Sequence, residues 1–357
     1  MPHPRRRPAD LRRSFVPLAP STARALPVLG LVVTLGVALA ACSPDGSASD
    51  EPSPSATTAG GAATTGYPLT LDNCGVEVTV DAAPERVVTI KSSTTEMLLA
   101  LGLGDRVVGT AYPDGPVAEW LADAAEGNEA IASPLSDKVP GSEAVLELEP
   151  DLVYAGWESN LTAEGAGDRE TLGTMGVATY VSPSACKDPA YQPAPLTYED
   201  VFAEILEVGG VFDVQGAAQE LVDAQRAELA DVEADTRGLT ALWYSSGSDI
   251  PYVGGGIGSP QMVMEAVGLE NVAAGIDDTW GPYSWENAIE TDPDVLVLVD
   301  SAWNSAENKI EVLEENPATA NLTAVREGRY LVVPFPATEA GVRSVSAAAD
   351  LADQLGS

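Results

Sequence analysis

From Tyr67 onward, short runs of aliphatic and β-branched residues alternate with longer stretches of helical spacing. That alternation is the pattern of α/β units around a parallel sheet. In the first half it predicts strands at Val87–Ile90, Val107–Thr110, Leu152–Ala155 and Ala178–Val181, with helices over Thr95–Leu101, Ser142–Leu148 and Arg169–Met175. The second half repeats the scheme, with strands at Thr240–Tyr244, Asp294–Val299 and Tyr330–Val333 and helices over Gln261–Val267 and Glu307–Glu315. The expected fold class is α/β, two Rossmann-like lobes with parallel-rich central sheets joined by a long connecting helix.

The halves also echo one another in letters. Glu143-Ala-Val-Leu-Glu-Leu-Glu-Pro150-Asp151 matches Glu286-Asn-Ala-Ile-Glu-Thr-Asp-Pro293-Asp294 at an offset of 143. Leu101-Gly-Leu-Gly-Asp105 pairs with Val267-Gly-Leu-Glu-Asn271, and Gly176–Tyr180 with Gly328–Val332. Similar pieces in the same order imply two lobes of one architecture, and two copies are too few for a solenoid. Between them lie Thr197–Leu206 and Asp213–Asp235, split by Gly209-Gly210. Thr197 followed by Asp200 marks a helix start. The second stretch predicts a helix of roughly 30 Å, a stiff spine that limits lobe motion to small angles. The boundaries are then 67–196 for the N-terminal lobe, 197–238 for the connecting helices and 239–357 for the C-terminal lobe.

Ahead of this lies an export segment. Residues 1–25 hold six arginines and one acid, an apolar run follows from Leu26 to Ala41, and Leu39-Ala40-Ala41 precedes Cys42. A basic start, a short apolar run and small residues before the cut describe a signal peptide over 1–41. At 16 residues including Pro27 the run falls short of the ~20 that span a bilayer. The Leu-Ala-Ala-Cys ending resembles a bacterial lipobox, with cleavage before Cys42 and lipid on its sulfur. Arg12-Arg13 leaves both Sec and Tat export open. Residues 42–66 are small and polar, a flexible tether from lipid to fold.

Composition sharpens these readings. The 357 residues carry a net charge of −36, and without residues 1–41 the remainder has twelve basic and 53 acidic side chains, a net −41. Such a chain repels phosphate backbones, so nucleic acid is excluded as a partner. The one histidine, His3, belongs to the export segment. The mature protein therefore lacks His-based nucleophile systems and His-ligated metal, and no catalytic residue, metal site or cofactor is assigned. Cys74 and Cys186, in an oxidising compartment, suit a disulfide, with two buried thiols the other reading.

Ligands of open α/β sheets sit beyond the carboxyl ends of the strands, here between two lobes. The loops there, or just ahead of a helix, supply Lys91, Tyr112, Trp157, Lys187, Trp243, Tyr244, Trp280, Tyr283, Trp303 and Phe335. Grouped aromatic faces suit a planar or bulky ligand. Lysines are scarce, so Lys91, Lys138, Lys187 and Arg343 near the cleft imply an anionic one, whereas Lys309 reads as an ordinary solvated charge. Gly254-Gly-Gly-Ile-Gly258 leads into a helix with Ser259 as expected N-cap and Pro260 behind it. Its amides suit a phosphate or carboxylate, and a plain flexible turn is the other reading.

The lipobox, the tether, "PERVVTIKSSTTEMLLALGLGDRVVGTA", "LELEPDLVYA", the connecting helix and "IETDPDVLVLVD" together resemble the substrate-binding lipoproteins of iron-siderophore/cobalamin-type ABC importers. "ALWYSSG" and "VVPFPATEAGVR" resemble the subgroup assigned to the glutamate-free precursor of the deazaflavin coenzyme F(420). The resemblance covers residues 67–357. It implies a monomeric, non-enzymatic, membrane-anchored binding protein that hands a small molecule to an ABC permease and its ATPase. Ferric siderophore, cobamide, haem and deazaflavin precursor are the ligands left open. It also carries one permease-docking glutamate per lobe onto Glu143 and Glu286, each in the first turn of its helix. A secreted carboxylate-dependent hydrolase and a surface interaction protein are the competing classes.

Overall fold

A computed structural model describes residues 64–356. The export segment, Cys42 and residues 43–63 of the tether lie outside the described residues. The chain enters through an antiparallel hairpin of β1 (Leu69–Asn73) and β2 (Val76–Val80). The first sheet follows, from β3 (Val87–Ile90), β4 (Val107–Ala111), β5 (Leu152–Ala155) and β6 (Ala178–Val181). Its order is β4-β3-β5-β6, parallel throughout. The helices between and after these strands are α1 (Ser92–Ala100), α2 (Ala122–Ala125), α3 (Glu129–Ala132), α4 (Ser142–Leu146) and α5 (Arg169–Thr174). Every residue of β3 and β5 is buried, the environment that makes parallel strands read as unbroken apolar runs.

Two helices lead on, α6 (Tyr198–Val211) and α7 (Gln215–Asp231). Thr197 caps α6 in a reciprocal box with Asp200, as its spacing predicts. The expected break at Gly209-Gly210 is absent. The helix runs through both glycines and turns at Asp213, which takes a positive φ of 58°. A Cβ at Gly209 would stand 2.3 Å from the Ala218 Cβ, so the glycine lets α7 fold back tightly on α6. Arg226 of α7 reaches Glu199 of α6 at 2.5 Å and lies over Phe202. The long connecting helix is thus one arm of an antiparallel hairpin rather than a lone spine.

The second sheet contains β7 (Thr240–Ser246), β8 (Tyr252–Gly254), β9 (Glu270–Asn271), β10 (Trp280–Pro282), β11 (Val295–Asp300) and β12 (Tyr330–Pro334). Strands β9, β7, β11 and β12 are parallel; β8 and β10 add an antiparallel edge. Its helices are α8 (Ser259–Ala266), α9 (Trp285–Thr291), α10 (Ala306–Glu315), α11 (Thr323–Glu327) and α12 (Ser344–Gly356). The Pro-Asp echo has a shared physical cause. Asp151 accepts the amides of Glu85 and Arg86 just ahead of β3, and Asp294 accepts the Thr240 amide at the start of β7. Each carboxylate satisfies backbone donors where the neighbouring parallel strand begins.

Cys74, between β1 and β2, is bonded to Cys186, beyond β6, with Cα atoms 5.3 Å apart. No helix among the described residues is long and apolar enough to cross a membrane. Lys309 departs from its expected solvated state. It is 1% exposed, and its Nζ donates to the carbonyls of Val299 at 2.6 Å and Asn304 at 2.5 Å, with burial lowering its pKa to about 8.

Candidate functional site

A cleft of about 630 Å³ opens at the carboxyl ends of both sheets, where an α/β ligand site belongs. The first half contributes Trp157 after β5, the turn Ser184–Lys187 after β6, and the segment leading to α6. The second contributes Ser245 and Tyr252 from β7 and β8, Ile257–Ser259 at the start of α8, Asp277–Trp280 and the stretch after β12. A larger depression, about 980 Å³, lies between the ends of α7 and α12. It carries Glu228, Asp231, Glu233 and Asp235 and no aromatic side chain, and sits by the amino end of β7, so it lacks the features of a ligand cleft.

Trp157 is the centre of the wall. It follows Gly156, where a Cβ would come within 2.9 Å of the Lys91 Cβ. Its indole Nε1 donates to Glu339 Oε2 across the two halves at 2.6 Å, and Tyr112 meets it edge-on at 5.8 Å. Behind the indole lies Lys91, wholly buried, its ammonium 3.6 Å from the Trp157 ring centre, 4.5 Å from Tyr112 and 5.0 Å from Phe335. The same ammonium is paired with Asp114, whose other oxygen accepts the first amide of α1 from Ser92. Lys91 adopts a φ of 90°, a region costly for a side chain with a Cβ, so the ring cage and ion pair hold it against strain. Burial raises the pKa of Asp114, with Lys91 opposing, and raises that of Glu339, with Lys91 and the indole N–H opposing. One ammonium therefore serves two carboxyl groups. Elsewhere on the cleft Trp280 stacks on Tyr252, rings 11° from parallel and 6.5 Å apart.

Of the twelve residues that the sequence places at the cleft, Trp157, Lys187, Trp280 and Phe335 line it. Lys91 and Tyr112 form the layer behind Trp157, and Lys91 is corrected from a free cleft cation to a paired, buried one. Arg343 is corrected likewise: its Nε and Nη2 both engage the Glu96 carboxylate, and Nη2 donates to the Pro116 carbonyl at 2.6 Å. It ties the head of α12 to α1. Trp243 is 0% and Tyr244 2% exposed, core residues because β7 runs on to Ser246 rather than ending at Tyr244. Tyr244 packs edge-on against Trp285 at 5.3 Å. Tyr283 bonds the Val272 carbonyl at 3.3 Å beside a separate depression of about 490 Å³. Trp303, 60% exposed, leans on Phe335 at 5.0 Å, outside the lining, and Lys138 is exposed on its loop.

Sequence reasoning did not select Tyr252, Asp277, Asp278, Ser259 or Glu339 for the ligand. Tyr252 sits on a three-residue strand with no run to mark it. Glu339, inside "PATEAG", is a lone acid among small residues, the one signal that it points inward. Lys187 is the single basic residue among the lining residues, against Asp277, Asp278 and Glu339. Among the described residues no cluster of three or more His, Cys, Asp or Glu could hold a metal. Glu143 and Glu286 are exposed second residues of α4 and α9, in matching places of the two halves.

Two α/β halves with an aromatic cleft between their strand ends define a solute-binding protein. Residues 87–337 match the Periplasmic binding protein family, and the chain belongs to it. Its members are solute-binding transport proteins, not enzymes, which places the protein on the extracytoplasmic side. The chain is 24% identical, over 81% of its length and 86% of the other's, to an uncharacterized ABC transporter substrate-binding lipoprotein, YvrC, of Bacillus subtilis (strain 168). It is 25% identical to the vitamin B12-binding protein of Vibrio parahaemolyticus, over 65% of this chain and 79% of that one. A solved structure of an ABC-type Fe3+-hydroxamate transport system protein from Saccharomonospora viridis superposes with a TM-score of 0.69 at 29% identity, covering 82% of this chain and all of that one.

Proposed function

We propose that this protein is the substrate-binding lipoprotein of an ABC importer, held to the membrane through Cys42 and the 42–66 tether. In this reading the lobes 67–196 and 239–357, linked by 197–238, capture a bulky ligand with a flat or chelate body. Ferric siderophore, cobamide, haem and deazaflavin precursor all fit that description. The observation that carries the reading is the aromatic lining of the cleft, with Trp157 and Phe335 at one part and the Tyr252–Trp280 stack at another. Each ring adds about 0.5–1.5 kcal/mol to a planar ligand beyond area burial. Lys91 and Arg343 are engaged by Asp114 and Glu96 and lend no charge to the ligand. Glu143 and Glu286 serve as the docking acids toward the permease.

Native mass spectrometry of the full chain after exposure to culture extract tests this. One small molecule, identified by exact mass, should be retained at one per chain and lost in the Trp157→Ala/Trp280→Ala double variant. Retention undiminished in that variant would refute the cleft.

A further inference from the structure

The glycine string ahead of α8 is neither a loose turn nor a phosphate loop. Gly255 N–H donates to the Thr279 carbonyl at 2.9 Å and Gly256 N–H to Ile276 at 2.8 Å, so these amides are committed to the facing chain. A Cβ at Gly256 would lie 2.1 Å from the Ala274 carbonyl, and one at Gly258 2.8 Å from Thr279 Cβ. The glycines bring the backbone against its neighbour and fix where α8 begins. The N-cap is Gly258, one residue before the position sequence gave it, and it contributes no side-chain cap. Ser259 is therefore freed from capping. It lines the cleft, is 6% exposed, and its buried Oγ has no hydrogen-bond partner among the described residues.

A buried hydroxyl without a partner destabilises the protein that carries it. It stands here beside backbone donors with no intrahelical acceptor. Pro260 has no N–H, Met262 N–H is taken by the Gly258 carbonyl, and the first-turn amides of Ser259 and Gln261 have no acceptor among the described residues. The helix adds positive potential at that end.

We propose that the start of α8 is an oxyanion subsite of the cleft, in which Ser259 Oγ and the amides of Ser259 and Gln261 hold a singly charged group of the ligand, a phosphodiester or a carboxylate. This rests on the cleft being the ligand site. The single charge follows from the surroundings. Asp277 and Asp278 line the same wall, and Lys187 is the only basic residue lining it, so a second negative charge is repelled.

The test is a titration of the full, 15N-labelled chain with dimethyl phosphate, with acetate and with inorganic phosphate at pH 8, read by amide NMR. The expected result is saturable movement of the Ser259 and Gln261 amides by dimethyl phosphate or acetate at millimolar concentration. Whichever saturates lower identifies the group. Ser259→Ala weakens that binding about tenfold, the effect of a hydrogen bond to a charged acceptor, and raises the thermal midpoint because an unpaired buried hydroxyl is gone. Equal binding by Ser259→Ala, or shifts that spare these two amides, overturns the subsite. Tighter binding of inorganic phosphate overturns the single charge. If culture-extract retention is lost in Trp157→Ala/Trp280→Ala but unchanged in Ser259→Ala, the subsite fails and the cleft stands. If retention survives both variants, the cleft reading itself has failed.

Discussion

Arg343 separates two accounts of the same residue, ligand cation or internal tie. Its guanidinium engages Glu96 through two nitrogens and leaves that carboxylate 1% exposed, with the Ala118 amide as a further donor at 3.0 Å. Arg343→Met keeps the apolar stem but strands Glu96 in the core with one donor. Breaking a buried pair from one side costs about 3–5 kcal/mol, whereas replacing both charges with apolar groups of similar volume is often neutral. A loss of ~4 kcal/mol is a large part of the 5–15 kcal/mol that holds a domain folded. Urea denaturation should therefore show a midpoint lower by about 1 M or more for Arg343→Met, taking a slope near 3 kcal/mol per M. Glu96→Leu/Arg343→Met should return to within roughly 1 kcal/mol of the parent, a coupling of several kcal/mol. The double variant should also keep its ligand. A coupling below ~0.5 kcal/mol, or a refolded double variant that no longer retains ligand, would restore the arginine to the ligand and refute the tie.

Other perturbations test neighbouring parts of the structure. Glu204 is wholly buried beside Tyr154, whose hydroxyl donates to it at 2.8 Å, and burial pushes its pKa from 4.5 to about 7. The folded chain thus holds a proton between those values that the unfolded chain releases. Stability from this group is full below pH 4.5 and is lost as pH rises through about 7. Glu204→Gln should remove that slope, worth at most about 3 kcal/mol, and an unchanged pH profile of the denaturation midpoint would count against it. The Cys74–Cys186 bond spans 112 residues, so the Cys74→Ala/Cys186→Ala variant should lose about 4–5 kcal/mol and on the order of 10 °C in thermal midpoint. A shift of only a degree or two in calorimetry would show the loop to be held by other contacts. Glu143→Lys/Glu286→Lys should abolish uptake in cells while ligand retention in vitro is unchanged; loss of retention would remove the docking role.

The sheets were legible because burial on both faces writes itself as unbroken apolar runs. Leu152–Ala155 and Ala178–Val181 have the same limits in sequence and structure, and Val295–Asp300 differs by one residue at each end. β1, β2, β8 and β10 were not, because short, partly exposed edge strands need no such run. A strand end is equally faint. Two more residues on β7 moved Trp243 and Tyr244 from the cleft to the core, since nothing local tells a Tyr-Ser-Ser that continues pairing from one that stops.

Charge misled for a reason that is itself informative. In a chain with 53 acids for twelve bases after the export segment, Lys91 and Arg343 turn inward onto carboxylates, Asp114 at 23 residues and Glu96 at 247, whereas the buried Lys309 is held by backbone carbonyls. Lys91 and Arg343 are thus counter-ions inside the fold, and Lys187 is the one of these cations that lines the cleft. Apart from Lys187, the polar side chains lining the cleft are acids or neutral groups. Glu339 keeps one oxygen for Trp157 and turns toward the cavity, and Ser259 keeps a hydroxyl for nothing in the protein itself. Under the proposed subsite, such a protein meets a charge on its ligand through a hydroxyl and the amides of a helix end. Of its buried cations, Arg343 ties one half to the other through Glu96, and Lys91 braces the aromatic wall from within the first half.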